Sequence, residues 1–256
     1  MSTSDSQPTA GTFEGMNAEK IKALTSLENF KLAPVLDAQA QAAFMHPNER
    51  LTNALDNSKA SGLPPINVLP MAGQHLSILT QLMGAKTVLE IGTLGGYSSI
   101  VFAQAGAKVT SVEIDAKHRD VALQNTKGLD VDVILGDALK VMPQLYDEGK
   151  QFDMVFIDGP WDVLADEFDW AVKLTRIGGC ILLDDVVPAM LMEAILKGGV
   201  DSFASKVQGE DTENVITKIG KDERVQAALM PTVATHEAIF NQPLFTGFIL
   251  ATVKSH

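Results

Sequence analysis

Two kinds of apolar pattern alternate along the middle of the chain. Leu76, Leu79, Leu82 and Met83 recur at the spacing of one helical face, and the pattern stops at Gly84. Short apolar runs of strand length follow, each with a turn and a helix-spaced segment behind it: Thr87–Ile91, Lys108–Val112, Val131–Leu135, Phe152–Ile157 and Gly179–Leu183. Strands that are apolar at nearly every position belong in a sheet covered on both faces, and strands separated by helices pair in parallel. The spacing predicts one helix from Tyr97 to Gly106 and another after Asp115, running through His118, Val121 and Leu123. Further on, Val225–Val233 and Gly247–Val253 are strand-like and near one another, so an antiparallel hairpin is expected there.

Ahead of this α/β pattern, Ile21, Leu24, Leu27, Phe30, Leu32, Val35, Leu36, Leu51 and Leu55 are spaced as in amphipathic helices, with breaks near Pro34 and Pro47. We read residues 1–15 as a mobile tail, 16–65 as an N-terminal helical layer and 66–256 as one α/β domain. Composition narrows the function. The 20 basic residues against 32 acidic ones give a net charge of −12, the wrong sign for a protein that reads a nucleic-acid backbone. No run of 18 apolar residues offers a membrane span, and a single cysteine suits a reducing, cytoplasmic setting.

Candidate chemistry gathers where the strands end, which is where open α/β sheets bind ligands. Those ends read Glu90-Ile91-Gly92-Thr93-Leu94-Gly95-Gly96, Glu113-Ile114-Asp115, Gly136-Asp137-Ala138, Asp158-Gly159 and Asp184-Asp185. The first loop lets backbone approach a ligand, but its glycines are not spaced G-x-G-x-x-G, and Glu90 precedes them. A carboxylate there repels phosphate and attracts a cation such as the sulfonium and ammonium of S-adenosylmethionine. Glu113 lies 21 residues past Gly92, the separation at which an acid takes ribose hydroxyls. The alternative is a tight strand-to-helix turn with no ligand. Asp158, Asp184 and Asp185 offer oxygen ligands for a hard cation such as Mg²⁺, since adjacent strand ends lie about 4.8 Å apart. Their alternative role is to cap the helices that follow.

The runs VLEIGTLGGYSS, SVEID, GDAL, FDMVFIDG, GGCILLDDVV and TGFILATV together resemble the cation-dependent class I O-methyltransferases, the catechol and caffeoyl-CoA group. The resemblance extends from about Gly62 to Val253. It implies a doubly wound Rossmann-like sheet, mostly parallel with an antiparallel last strand, and methyl transfer from S-adenosylmethionine to a hydroxyl of a small, catechol-type aromatic substrate. By motif, Val68 lies on the approach to the cofactor. Glu90, Gly92, Tyr97 and Ser98 contact its methionine part, Glu113 holds the ribose with Ile114 beside it, and Asp137 and Ala138 border the adenine. Asp158 serves cofactor and metal, and Asp158, Asp184 and Asp185 fall on the divalent-cation ligands.

Two positions depart from the family. Its Asp-Asn pair is Asp184-Asp185 here, and its lysine after the fourth strand is replaced by Trp161 within Asp158-Gly159-Pro160-Trp161. Trp161 is expected to wall the substrate ring. Three accounts of the missing base stay open: the cation with a water, a histidine, or no catalysis. His236 is the best placed histidine, with His46 and His75 behind it, while His118 reads as an exposed helix residue. Met45 and Met71 are candidates to line a pocket. A nicotinamide-dependent oxidoreductase is the competing function, and a homodimer through residues 16–60 the expected assembly.

Overall fold

The computed structural model describes residues 22–23, 26–199, 201, 213–235 and 243–256. The expected tail, residues 1–15, and His236 lie outside them. A 3₁₀ turn (Leu27–Leu32) leads into helices α1 (Ala33–Phe44), α2 (Glu49–Ala60) and α3 (Pro70–Leu82). Strands and helices then alternate: β1 (Thr87–Ile91), α4 (Tyr97–Gln104), β2 (Lys108–Glu113), α5 (Ala116–Asn125), β3 (Val131–Leu135), α6 (Ala138–Asp147), β4 (Phe152–Ile157), α7 (Leu164–Leu174), β5 (Thr175–Leu183) and α8 (Val186–Leu196). Helix α9 (Val215–Gly220) and strands β6 (Val225–Thr235) and β7 (Pro243–Val253) complete the described chain.

The seven strands lie in the order β3-β2-β1-β4-β5-β7-β6. Every neighbouring pair is parallel except those made by β7, which runs antiparallel to both β5 and β6. The alternation of apolar residues along β1 shows why a continuous apolar run was needed. Leu89 and Ile91 join a core with Val155, Ile157, Ile181 and Phe168, and Val88 joins another with Phe102, Met154, Phe156 and Leu182. Both faces are therefore covered, as parallel sheets require.

Connections leave β1 in one direction toward β2 and β3, and the chain returns to the other side of β1 with β4. That reversal makes a crevice at the carboxyl ends of β1 and β4. Main-chain hydrogen bonds continue past the strands and hold these ends in register: Gly92 N–H to Val112 O (2.9 Å), Asp158 N–H to Ile91 O (2.8 Å) and Asp184 N–H to Ile157 O (2.8 Å).

Several boundaries differ from the sequence reading. Strand β5 begins at Thr175 rather than Gly179, because Thr175 pairs with Phe152 before the register shifts to Met154–Cys180 and leaves Arg176–Gly179 bulged. Pro34 starts α1 rather than breaking it, as a proline in the first turn does. The hairpin is longer than expected. Its last pair alongside β5 is at Ile249, and β6 and β7 stay paired from Met230–Phe248 to Thr235–Pro243. This arm of roughly 20 Å rises past the sheet edge, and α1 packs on it, with Thr235 Oγ1 donating to Asp37 Oδ2 at 2.9 Å.

Candidate active site

The glycine loop after β1 is shaped by close approach. Gly92 has φ 88°, and a Cβ there would stand 2.1 Å from the carbonyl oxygen of Asp158. Gly96 caps α4 at φ 81°. Across the crevice, Glu113 Oε2 accepts the N–H groups of Thr93 (3.0 Å) and Leu94 (2.7 Å), and Oε1 accepts that of Asp115 (2.9 Å). The acid expected to hold a ribose thus also ties the end of β2 to the glycine loop. Ile114 beside it is 69% exposed, an open apolar side chain at the edge. Asp137 caps α6 by accepting from Leu139 N–H (3.0 Å) and lies 3.2 Å from Lys140 Nζ, with Ala138 opening the helix.

Glu90, expected to contact the methionine part of the cofactor, lies on the inner side of the glycine loop. It points to the same face as Val88, fully buried, where Ser111 Oγ (2.6 Å) and Ser99 Oγ donate to its Oε2. Its Oε1 is buried without a hydrogen-bond partner among the described residues. Burial raises its pKa, and the hydroxyls of Ser111, Ser98 and Ser99 only partly offset that. Side-chain alternation decides this: at position 90 the pleat faces α4, not the sheet edge. Tyr97 is likewise buried, its ring packed below Gly73 of α3, while Ser98 and Val68 are buried nearby.

The acids after β4 and β5 do come together. Asp158 and Asp184 extend paired residues Ile157 and Leu183 and stand on neighbouring strands. Burial, then the charges of Asp184 and Asp185, push the Asp158 carboxyl well above the usual range. Burial and Asp185 raise Asp184 to about 7. Asp185 adopts a left-handed conformation (φ 56°), donates its N–H to Asp184 Oδ1 (2.8 Å) and accepts the Trp161 indole N–H on Oδ2 (3.2 Å). Among the described residues, no three acidic, histidine or cysteine groups converge as a ready-made metal cage. The donor chemistry nonetheless suits a hard cation at Asp158 and Asp184, because two partly buried carboxylates that repel each other are relieved by positive charge. Trp161 remains 42% exposed at this corner.

Three residues escaped the sequence reading. Glu167 is 1% exposed, with Oε2 lacking a partner among the described residues, and a Cβ on Gly159 would meet that oxygen at 2.7 Å. The signal was legible, because Leu164, Glu167, Phe168 and Ala171 make one helical stripe that is otherwise apolar. His118 is not an exposed helix residue: it is half-buried, its Nδ1 3.7 Å from Glu113 Oε1. Asn125 donates to Gly95 O at 2.8 Å, a contact no motif announces. His75 stacks on Phe248 (centroids 5.3 Å apart), burial lowering its pKa, and His46 is exposed between α1 and α2. Met45 lines a small cavity with Tyr97 and Gln104.

The O-methyltransferase family profile matches residues 45–237. The chain belongs to that family. The enzyme is 33% identical to a catechol O-methyltransferase of Niastella koreensis over 82% of this chain and 92% of the relative. It is 30% identical to a catechol O-methyltransferase of Mycobacterium tuberculosis, over 86% of this chain and 96% of the relative. Its fold matches an O-methyltransferase from Bacillus cereus in complex with S-adenosylhomocysteine, with TM-score 0.74, 31% identity and coverage of 88% and 100%. This O-methyltransferase therefore uses S-adenosylmethionine, and the nicotinamide-dependent alternative is overturned. None of its described helices is long and apolar enough to cross a membrane.

Proposed function

We propose that the enzyme methylates a hydroxyl of a small, catechol-type aromatic molecule with the help of a divalent cation of the Mg²⁺ kind. The observation that carries this reading is the Asp158–Asp184 pair, two partly buried acids on adjacent strand ends at the crevice, both pushed upward by desolvation and by neighbouring carboxylates. Mg²⁺ commonly takes one or two carboxylates and keeps several waters, so these two suffice to hold it, with Asp185 adding negative charge beside them. When bound, such a cation lowers the pKa of a coordinated hydroxyl. The names of the two catechol O-methyltransferase relatives support a vicinal diol as the substrate.

The protein's own part is positioning. Glu90 and Gly92 at the end of β1, and Tyr97 and Ser98 at the start of α4, with Val68 behind them, hold the methionine end of the cofactor. Glu113 and Ile114 take the ribose, and Asp137 and Ala138 flank the adenine. Trp161 presents an exposed indole against which an aromatic ring stacks, while its N–H fixes Asp185. His236, the residue after Thr235 in sequence, is the candidate base. A homodimer fits the exposed Leu32, Val35, Leu36 and Phe44 around α1.

Methyl transfer from S-adenosylmethionine to catechol, followed with and without EDTA, tests the reading. Turnover should vanish with EDTA and return with Mg²⁺. Calorimetric titration with Mg²⁺ should lose its heat in Asp158→Ala and Asp184→Ala while both variants still melt cooperatively. Catechol turnover undiminished in verified metal-free enzyme would refute the cation.

A further inference from the structure

The glycine loop is gripped from both sides. From the sheet side, Glu113 accepts the N–H groups of Thr93 and Leu94. From the outer side, Asn125 at the end of α5 donates through Nδ2 to Gly95 O (2.8 Å), and more weakly to Ala54 O (3.3 Å) and Ser58 Oγ (3.4 Å) of α2. Its Oδ1 accepts from Asn57 Nδ2 at 2.8 Å. One amide therefore joins the loop to the N-terminal layer. The carbonyl of Gly95 and the N–H of Gly96 share a rigid peptide plane. That N–H closes the turn on Thr93 O (2.8 Å) and stands where α4 begins.

Gly95 also touches α2 directly. Its φ is not left-handed, but a Cβ there would lie 2.0 Å from Ser58 Oγ and 3.1 Å from Ser58 Cβ. This glycine is required by the seat of α2, not by the turn. The rest of the joint is part apolar and part wet: Ala54 is the one fully buried residue of α2, Leu51 and Leu55 pack half-buried against the core, and a cavity of about 580 Å³ opens on the other side, lined by Arg50, Asn53, Asn57, Gln124 and Asn125 among others. Arg50 bridges it, donating to Asn125 O (3.3 Å) and Lys127 O (3.0 Å). An element with one fully buried residue, held in part by hydrogen bonds open to water, opens more readily than the core, so a modest bias shifts its docking.

We propose that Asn125 is a positioning residue for the cofactor, and that docking of α2 and binding of S-adenosylmethionine reinforce each other through the Gly95 peptide. Ordering the loop from the inside with a ligand strengthens the outer grip, and linkage makes the effect reciprocal. The inference rests on the reading that the glycine loop holds the cofactor.

Asn125→Asp tests the donor, because it keeps the size and the acceptor for Asn57 but cannot donate to Gly95 O. Asn125→Ala removes both bonds. Titrated with S-adenosylhomocysteine, each should bind about three- to tenfold more weakly, the worth of one hydrogen bond. In turnover, KM for S-adenosylmethionine should rise while kcat changes less than twofold. In the wild-type enzyme, S-adenosylhomocysteine should slow amide hydrogen exchange across residues 49–60, and the variants should lose that protection. A purely structural role predicts lower melting temperature with unchanged affinity, and that result overturns the proposal. Should neither variant fold, the wild-type exchange experiment decides alone: protection of α2 supports the coupling, and indifference of α2 to the ligand overturns it. Glu113→Ala separates the two readings. If it binds S-adenosylhomocysteine like the wild type, the loop is not the cofactor site and the inference falls with that reading. If it binds more weakly while Asn125→Asp does not, the inference alone is overturned.

Discussion

At the scale of single residues, the acids of this protein divide by which end of the sheet they occupy. Asp153 lies at the amino-terminal end. Burial works against its charge, but Arg176 Nε (2.6 Å) and the N–H groups of Lys86 and Thr87 outweigh it and hold the carboxyl at about 2. Glu167 lies near the opposite end, and burial followed by the charges of Asp137, Asp162 and Asp166 lifts it to about 8. The sign for stability follows. Below its ordinary value of 4.5 Glu167 is protonated in both folded and unfolded chains and costs nothing. Between that value and about 8 only the unfolded chain ionises, so stability is lost as pH rises through this window. Glu167→Gln, an isostere of the protonated acid, should therefore be more stable than wild type by an amount that grows from pH 5 to 8 and then levels. Denaturation of both proteins at pH 5, 7 and 9 measures it, and parallel stability curves would exclude a buried neutral acid at this position. Cys180, by contrast, is pushed up to about 12 by burial inside β5 and is a packing residue, not a nucleophile.

At the scale of elements, the β1–α4 turn is the tightest joint of the site. Gly92 meets two demands at once, a left-handed φ and van der Waals contact with the Asp158 carbonyl. Gly92→Ala should cost at least about 1–3 kcal/mol from backbone strain, and it should also push β4 from β1 and abolish binding of S-adenosylhomocysteine. Thermal denaturation with and without that ligand reads both effects: a variant that still gains ligand-dependent stability would show that the β1–β4 crevice tolerates the displacement. The β6–β7 arm obeys a different logic. Strand β6 is exposed along most of its length because it is the edge strand beyond β7, and α1, which has no buried residue, is its covering.

At the scale of the molecule, that covering leaves apolar surface. Leu32, Val35, Leu36 and Phe44 are each more than half exposed, and Met230 is 46% exposed on the edge strand. Apolar side chains gathered on a helix and a sheet edge mark an interaction surface. The expectation is a homodimer by light scattering at micromolar concentration, converted to monomer by Leu36→Asp with little change in melting of the core. A monomeric wild type would dismiss the assignment.

The sequence by itself determined the sheet. The mostly apolar runs at Thr87–Ile91, Val131–Leu135 and Phe152–Ile157 coincide with β1, β3 and β4, because each is one strand long and is followed by a turn that carries glycine, Gly92, Gly136 or Gly159. The clustering of Gly92, Glu113, Asp137, Asp158 and Asp184 at one edge was legible for a related reason: parallel strands joined by helices all point the same way, so residues that end strands in sequence share an edge in space. Which way each side chain turns there was settled only by tertiary structure. Glu90 stands one residue before the end of β1, and pleating turns it under α4 to Ser99 and Ser111. Glu167 meets Gly159 only because α7 folds back across the end of β4. Asn125 reaches Gly95 over 30 residues through the packing of α5 on the sheet. Periodicity records which face of its own element a residue occupies; the partner opposite that face is chosen by how the elements pack, and local pattern carries no record of it.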